Sequence, residues 1–366
     1  MAECFTSKRV LPGRISPNGT IRRVSRNVFA SGDDVVSCST LSFRKCLNVG
    51  NVKKLHSGDI VKVFPDGKII RLWDSSSFQN CLFVTNGCNF RCLMCPQPPC
   101  ADNPEQHEEN LRLLDLLNSK VEMIGITGGE PTLFPERLIE YFDVINRKFP
   151  TSRVEVLTNG SLLADFGTAK RLALAAPLNI CYCVSLHGDT GSLAESIMRC
   201  VGGWDKALQG IINLAKLQQQ IEIRVVVTKN NAPYLEDIAV FLYRNFPFVY
   251  HIAFMGQEII GEAVKNYSGI WVEPIDYASN LDCAVRYLAA MDMNVSIYNI
   301  PLCLLSETSR KFAARSISDW KQTYIDKCEG CMMKSDCCGF FTTSGKHCPR
   351  GIIPSKSRCC HEEACS

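Results

Sequence analysis

Three cysteines with a fixed spacing are the part of this chain best equipped for chemistry. Cys88-Asn-Phe-Arg-Cys92-Leu-Met-Cys95 follows a strand-like run, Cys81-Leu-Phe-Val-Thr-Asn. Thiolates at this Cys-x3-Cys-x2-Cys spacing, at the C-terminal end of a strand, can hold three irons of a [4Fe–4S] cube, whereas a stable electron carrier usually fills the fourth corner with another cysteine. The fourth iron stays open, and an open metal position is where a substrate or cosubstrate coordinates. Downstream, Gly128-Gly129-Glu130-Pro131 ends the next strand-like run. Two glycines let backbone approach a ligand closely, and a carboxylate there can accept from an ammonium group. The alternatives are a structural zinc or plain buried thiols for the cysteines, and a tight turn capped by Glu for the loop.

Other residues stand out by context. Arg224 lies inside the otherwise apolar run Ile221-Glu-Ile-Arg-Val-Val-Val and needs an anionic partner, either a ligand carboxylate or an acidic residue of the fold. Thr158, Asn159 and Ser185 are polar residues at strand ends, and His187 in Ser-Leu-His-Gly is either an acid or base or a hydrogen-bonded structural histidine. From about Tyr324 the chain is rich in cysteine, glycine and charge with little periodicity. Metal ligation is the natural way to order such a segment. Its clearest pattern is Cys328-Glu-Gly-Cys331 followed by Cys337-Cys338, with Cys303 upstream.

The Cys-x3-Cys-x2-Cys and Gly-Gly-Glu-Pro motifs together resemble those of the radical S-adenosylmethionine (SAM) enzymes. The resemblance implies that SAM chelates the open iron of a [4Fe–4S] cluster on Cys88, Cys92 and Cys95 and is cleaved to a 5′-deoxyadenosyl radical. It implies that Gly128, Gly129, Glu130 and Pro131 hold the amino group of SAM, with Glu130 as the side-chain contact. Met94 takes the position of a residue that meets the adenine; Thr158, Asn159 and Ser185 take those that hold ribose and carboxylate, and Arg224 is a candidate for the carboxylate. The late cysteines are similar to the auxiliary-cluster region of the SPASM and twitch groups, which implies a second [4Fe–4S] cluster on Cys303, Cys328, Cys331 and Cys337. Cys338 is the alternative to Cys337. The next ligand of a full SPASM pattern falls at Phe341, a departure that speaks against a further cluster of that spacing.

The continuation Pro96-Gln-Pro-Pro, a β-rich front end and the ending Cys-x2-Cys-x5-Cys-Cys-Gly-Phe-Phe are most similar to the radical SAM maturases of the His-Xaa-Ser system. That subgroup implies a ribosomally made peptide as substrate, a flavodoxin or ferredoxin as electron donor, and a sister radical SAM protein. A small-molecule enzyme such as the GTP cyclase of molybdopterin synthesis, and a non-catalytic iron–sulfur or zinc protein, are the rivals.

These residues need elements to position them. The 366 residues are 46% hydrophobic and 21% charged with a net charge of +3, ordinary globular material with no general call for nucleic acid or membrane. No run is long enough to span a bilayer and the first residues lack a signal peptide's apolar core, so a cytoplasmic protein is expected. An odd count of 21 clustered cysteines fits a reducing compartment better than a disulfide framework. Residues 1–76 read as a small β-rich region, ending in a hairpin around Pro65-Asp-Gly. Residues 77–292 alternate strand and helix, six βα units, which imply with the resemblance a partial (β/α)6 TIM-type barrel with its site at the strands' C-terminal ends. Residues 293–366 are expected to form a Cys-rich cluster-binding extension. Cys348, Cys359, Cys360 and Cys365 show no clean spacing, while Cys100 and Cys200 read as ordinary thiols.

Overall fold

The computed structural model describes residues 11–15, 21–22, 28–30, 36–38, 58–63, 69–117, 120–345 and 348–355. The front of the chain is β-rich, as expected. Strands β1 (Leu11–Ile15), β2 (Ile21–Arg22), β5 (Ile60–Val63) and β6 (Ile69–Trp73) form a sheet in the order β2-β1-β5-β6, while β3 (Val28–Ala30) pairs with β4 (Val36–Cys38). Val63 opposes Ile69 in antiparallel register, so β5 and β6 make the expected hairpin. Its Pro65-Asp-Gly turn lies outside the described residues, as do Cys4 and Cys46.

The main body alternates β7 (Cys81–Phe83), α1 (Glu105–Leu116), β8 (Met123–Thr127), α2 (Pro135–Lys148), β9 (Arg153–Thr158), α3 (Phe166–Ala175) and β10 (Ile180–Ser185). It continues through α4 (Gly191–Met198), α5 (Gly203–Lys216), β11 (Gln220–Val226), α6 (Leu235–Asn245) and β12 (His251–Met255), then the short α7 (Glu262–Lys265) and α8 (Tyr267–Ile270), and α9 (Pro274–Ala290). Local chemistry sets several boundaries. Pro135 opens α2 at its first turn, where a missing N–H costs nothing, and Arg147 and Lys148 close it against the helix dipole.

Seven strands, one more than the six βα units counted from sequence, lie side by side in chain order. β13 (Val295–Tyr298), expected at the start of the C-terminal extension, pairs parallel with β12, with Ile252 opposite Val295. The reason is α9: seventeen residues that bury Leu281, Ala284, Val285 and Leu288 return the chain for one more parallel strand. All seven strands are parallel and sequential, the topology of an open α/β barrel.

Strand alternation divides the residues between two faces. Val154, Val156, Ile221, Ile223 and Val225 are fully or almost fully buried in the core beneath the helices. The alternate positions carry charge into the barrel. Arg224 donates to Glu222 through Nε and to Glu155 at 3.1 Å, and Glu155 also receives Arg153 at 3.0 Å. His251 joins Glu222 to Ser296 with contacts of 2.9 Å on each ring nitrogen. Burial pushes the Glu222 carboxyl up, but His251 and Arg224 outweigh it and bring it down to about 2. The anion that Arg224 requires is therefore supplied by the fold itself.

Arg224→Met leaves two carboxylates short of their shared cation, so urea unfolding is expected to show a loss of about 3 kcal/mol or more, with Arg224→Lys in between. An unchanged midpoint in the Met variant would mean the charges are solvated in solution.

Candidate active site

The three cysteines sit on the loop leaving β7, and that loop is pinned on every side by backbone. Val84 N donates to Thr127 O at 2.8 Å, Leu93 N to Ile197 O at 2.9 Å and Arg91 N to Met198 O at 3.1 Å. Asn266 Nδ2 donates to Leu93 O at 2.9 Å, and Glu262 N to Cys95 O at 2.9 Å. Further on, Arg137 grips Asp102 with two donors, at 3.1 and 2.7 Å, while Thr85 Oγ1 donates to the same carboxylate at 2.6 Å. Loops from β8, β10 and β12 thus converge on the cysteine loop.

The Gly-Gly-Glu-Pro segment works differently from the expectation. A Cβ at Gly129 would stand 2.0 Å from Gly87 O, so the glycine is required by the close approach of the cysteine loop. Gly129 N and Glu130 N donate to Thr85 O and Gly87 O at 2.7 and 2.8 Å. Glu130, 1% exposed, accepts from Thr132 N and Oγ1, Thr158 Oγ1 and Asn159 N, all at 2.6 to 3.0 Å. Complete burial pushes its pKa up against the pull of those donors. Its carboxylate caps the turn and ties it to β9.

The other expected contacts divide. Met94 is 7% exposed and packs with Ile197, Ile259, Ala263 and Ile270, a core position. The hydroxyl of Thr158 is spent on Glu130 and Gly160 N, and Asn159 is bonded on all sides. Ser185, half-buried at the end of β10, makes no side-chain hydrogen bond among the described residues. His187 is buried, and its Nδ1 accepts from Val226 N at 3.2 Å, which puts the ring proton on Nε2. Burial holds its pKa down at about 4, so the ring is neutral near pH 7 and reads as structural.

Sequence reading missed Gln257, because nothing in composition or spacing marks it. It follows β12, and Gly256 N still pairs with Tyr298 O at 2.8 Å, so the alternation of His251, Ala253 and Met255 carries position 257 to the lumen side. Both its carboxamide atoms are buried without a hydrogen-bond partner. A buried donor and acceptor left open at the C-terminal end of a barrel strand are what a missing polar ligand would satisfy.

The three sulfurs suit an iron–sulfur group. Burial raises all three thiols, Cys92 to about 12 with the charges of Cys95 and Cys88 adding to the shift, so the triad needs compensating metal to exist as thiolates. Among the described residues no three His, Cys, Asp or Glu side chains converge on a point for a single ion. A cube instead spreads its thiolates over separate irons.

A second group of sulfurs lies in the C-terminal region. Cys303, Cys328, Cys331 and Cys337 line one small cavity, together with Met333 and Phe340. Burial, then the charges of Cys337, Cys328 and Cys331, push the Cys303 thiol up to about 11, which puts the four around one space. Cys338 is 2% exposed and packs instead with Ile317 and Phe341. Strand β14 (Gln322–Thr323) pairs with β15 (Phe340–Phe341) beside it. The region is tied to the barrel through Lys321 and Glu258, 2.8 Å apart, and Arg350 N and Glu273, 2.9 Å apart. Cys348 is exposed, and Cys359, Cys360 and Cys365 lie outside the described residues.

The body of the chain is thus an open parallel barrel with three loop cysteines at its strands' C-terminal ends. Residues 82–242 match the model of the Radical SAM superfamily, which supports assignment of the chain to that superfamily, whose members use a [4Fe–4S] cluster and SAM. A GTP 3′,8-cyclase of Campylobacter jejuni subsp. doylei is 31% identical over 153 residues, 40% of this chain and 46% of that protein. The molybdenum cofactor biosynthesis protein moc-5 of Caenorhabditis elegans is 30% identical over 155 residues, 40% of this chain and 24% of that one. The chain spans about half the length of the first of these relatives and less of the second. Among solved structures, SuiB of Streptococcus suis bound to S-adenosylmethionine is similar with a TM-score of 0.48 and 17% identity, over 59% of this chain and 49% of that one. No described helix is long and apolar enough to cross a membrane.

The neutral burial of His187 has a pH signature. Its folded pKa of about 4 lies below its ordinary 6.5, so the unfolded chain binds the proton first as pH falls. Its contribution is whole above about pH 6.5 and declines toward pH 4, a loss on the order of 3 kcal/mol. His187→Gln should flatten that part of the stability profile; a slope that persists unchanged assigns the effect elsewhere.

Proposed function

We propose that this chain is a radical SAM maturase of a ribosomally made peptide, with its SAM cluster on Cys88, Cys92 and Cys95 and an auxiliary [4Fe–4S] cluster on Cys303, Cys328, Cys331 and Cys337. The observation that carries the second site is the single cavity lined by those four sulfurs. Four protein ligands leave no open corner for a substrate, so that site suits electron transfer from the product radical. The Pro96-Gln-Pro-Pro continuation and the ending of the cysteine region support a His-Xaa-Ser peptide as substrate. With it come a flavodoxin or ferredoxin as donor, a sister radical SAM protein as partner, and a reducing, cytoplasmic setting, in keeping with free cysteines such as Cys88, Cys100, Cys200 and Cys348.

When bound and reduced, the SAM cluster supplies the electron that splits the C–S bond of SAM and yields the radical that takes hydrogen from the substrate. The chain's own residues bind, orient and exclude water. The loop backbone at Gly128 and Gly129 lies beside the cysteine loop and meets the ammonium group of SAM, while Glu130 holds that loop in place. The Ser185 hydroxyl serves the ribose or carboxylate. Gln257 pairs with adenine, whose N6 amino group presents a donor beside the N7 acceptor. Arg224, already neutralised by Glu155 and Glu222, belongs to the floor of the barrel. The cysteine loop, bonded on all sides, keeps the reacting centre dry.

A second reading, a small-molecule enzyme of the GTP cyclase type, is favoured by the 31% identity over 153 residues with a GTP 3′,8-cyclase. Deuterated substrates separate the two. Under dithionite, SAM should give 5′-deoxyadenosine, with deuterium carried over from a His-Xaa-Ser peptide and none from GTP. Carry-over from GTP alone would reverse the choice, and undiminished cleavage in a Cys88, Cys92, Cys95→Ala variant would overturn the site. Cys303→Ala together with Cys331→Ala should halve the iron content while the SAM cluster remains. Gln257→Ala should weaken SAM binding about tenfold, within the 1–3 kcal/mol of a bidentate base contact, at unchanged iron content.

A further inference from the structure

We propose that Asn159 is a positioning residue of the SAM cluster: its carboxamide donates to the Cys88 sulfur and sets how readily the cluster accepts an electron. This rests on the reading of Cys88 as a cluster ligand. The residue, 9% exposed at the end of β9, has its backbone N–H and both ends of its carboxamide engaged. Its backbone N donates to Glu130 Oε2 at 2.7 Å, and its Oδ1 accepts from Ser161 N at 3.0 Å and Ser161 Oγ at 2.7 Å. With the oxygen held on that side, the amide nitrogen must face the cysteine loop. Nδ2 donates to Asn89 Oδ1 at 2.8 Å and, with its second hydrogen still to place, lies 3.9 Å from Cys88 Sγ. Asn89 Nδ2 returns to Ser161 Oγ at 2.8 Å and closes the ring.

The three sulfurs are therefore not equivalent. Cys88 Sγ receives Phe90 N at 3.4 Å as well as Asn159, whereas Cys95 Sγ lies 2.9 Å from the carbonyl oxygen of Gln97, which offers no donor. Donors to a cluster thiolate disperse its negative charge and favour the reduced, more negative state, which raises the reduction potential. A donor locked in advance does so without reorganisation when the electron arrives. Asn159 then contributes to the reaction through Cys88, with both ends of its carboxamide already engaged within the protein.

The test is an EPR-monitored redox titration of the anaerobically reconstituted full chain, without SAM or substrate, following the signal that is absent from the Cys88, Cys92, Cys95→Ala variant. Asn159→Leu keeps the volume and removes the donor, and should move the midpoint to more negative potential with iron content unchanged. Asn159→Asp should move it further, since a carboxylate replaces the donor. Ser161→Ala keeps the backbone donor to Asn159 Oδ1 but removes the hydroxyl that also holds it and that receives Asn89, and should give a smaller shift of the same sign. An unmoved or more positive midpoint in Asn159→Leu overturns the proposal. Should that variant fail to hold its cluster, an unmoved midpoint in Ser161→Ala does so. A wild-type chain with no signal dependent on the three cysteines would instead sink the cluster assignment itself.

Discussion

The burial of one carboxylate holds this site together. Glu130 has no access to solvent and must be satisfied by the protein, and its four donors come from Thr132, Thr158 and Asn159, on two different strand-end loops. Its own backbone N–H is given to Gly87, one residue before the first cysteine of the triad. Three loops that are distant in sequence are thereby locked in one register. Without the carboxylate those donors would be left unpaired in the interior, at a cost of about 1–3 kcal/mol each. The close approach it enforces is possible only because position 129 has no side chain.

A similar economy joins the two sulfur-lined regions. Gly261, at φ +60, lies so close to the cysteine loop that a Cβ would meet Pro96 O at 2.5 Å and Cys95 O at 2.6 Å. Glu258, three residues earlier in the same loop, receives Lys321 from the C-terminal region. The loop after β12 therefore touches the triad at one end and the cysteine-rich extension at the other. Gln257, with its unpartnered carboxamide, lies on this bridge. Inside the barrel, the chain of Arg153, Glu155, Arg224, Glu222 and His251 balances its own charge.

Much of this was legible in the residues. Alternating runs such as Arg153-Val-Glu-Val and Ile221-Glu-Ile-Arg-Val specify strands with one greasy and one polar face, and the Cys-x3-Cys-x2-Cys spacing specifies a triad on a single loop. Local signals of this kind need only neighbouring residues. The seventh strand was harder to assign, because Val295-Ser-Ile-Tyr is short and its membership depends on the edge that β12 leaves open. Arg224 announced that it needed an anion; Glu222 stands two residues earlier on the same face, but Glu155 comes from a strand two places away and was beyond any local pattern.

The sequence by itself determined which thiols stand together on one loop, which segments fold as strand or helix, and that a charge inside an apolar run demands a partner. All of these follow from spacing and periodicity along a few consecutive residues. Only the tertiary structure decided that Glu130 caps its turn, that Met94 belongs to the core, that Cys337 and not Cys338 faces the cavity with Cys303, and that Asn159 reaches Cys88. Hydrogen bonds and burial act between residues about 30 to 70 positions apart, and neither their direction nor their saturation is encoded until the strands lie side by side.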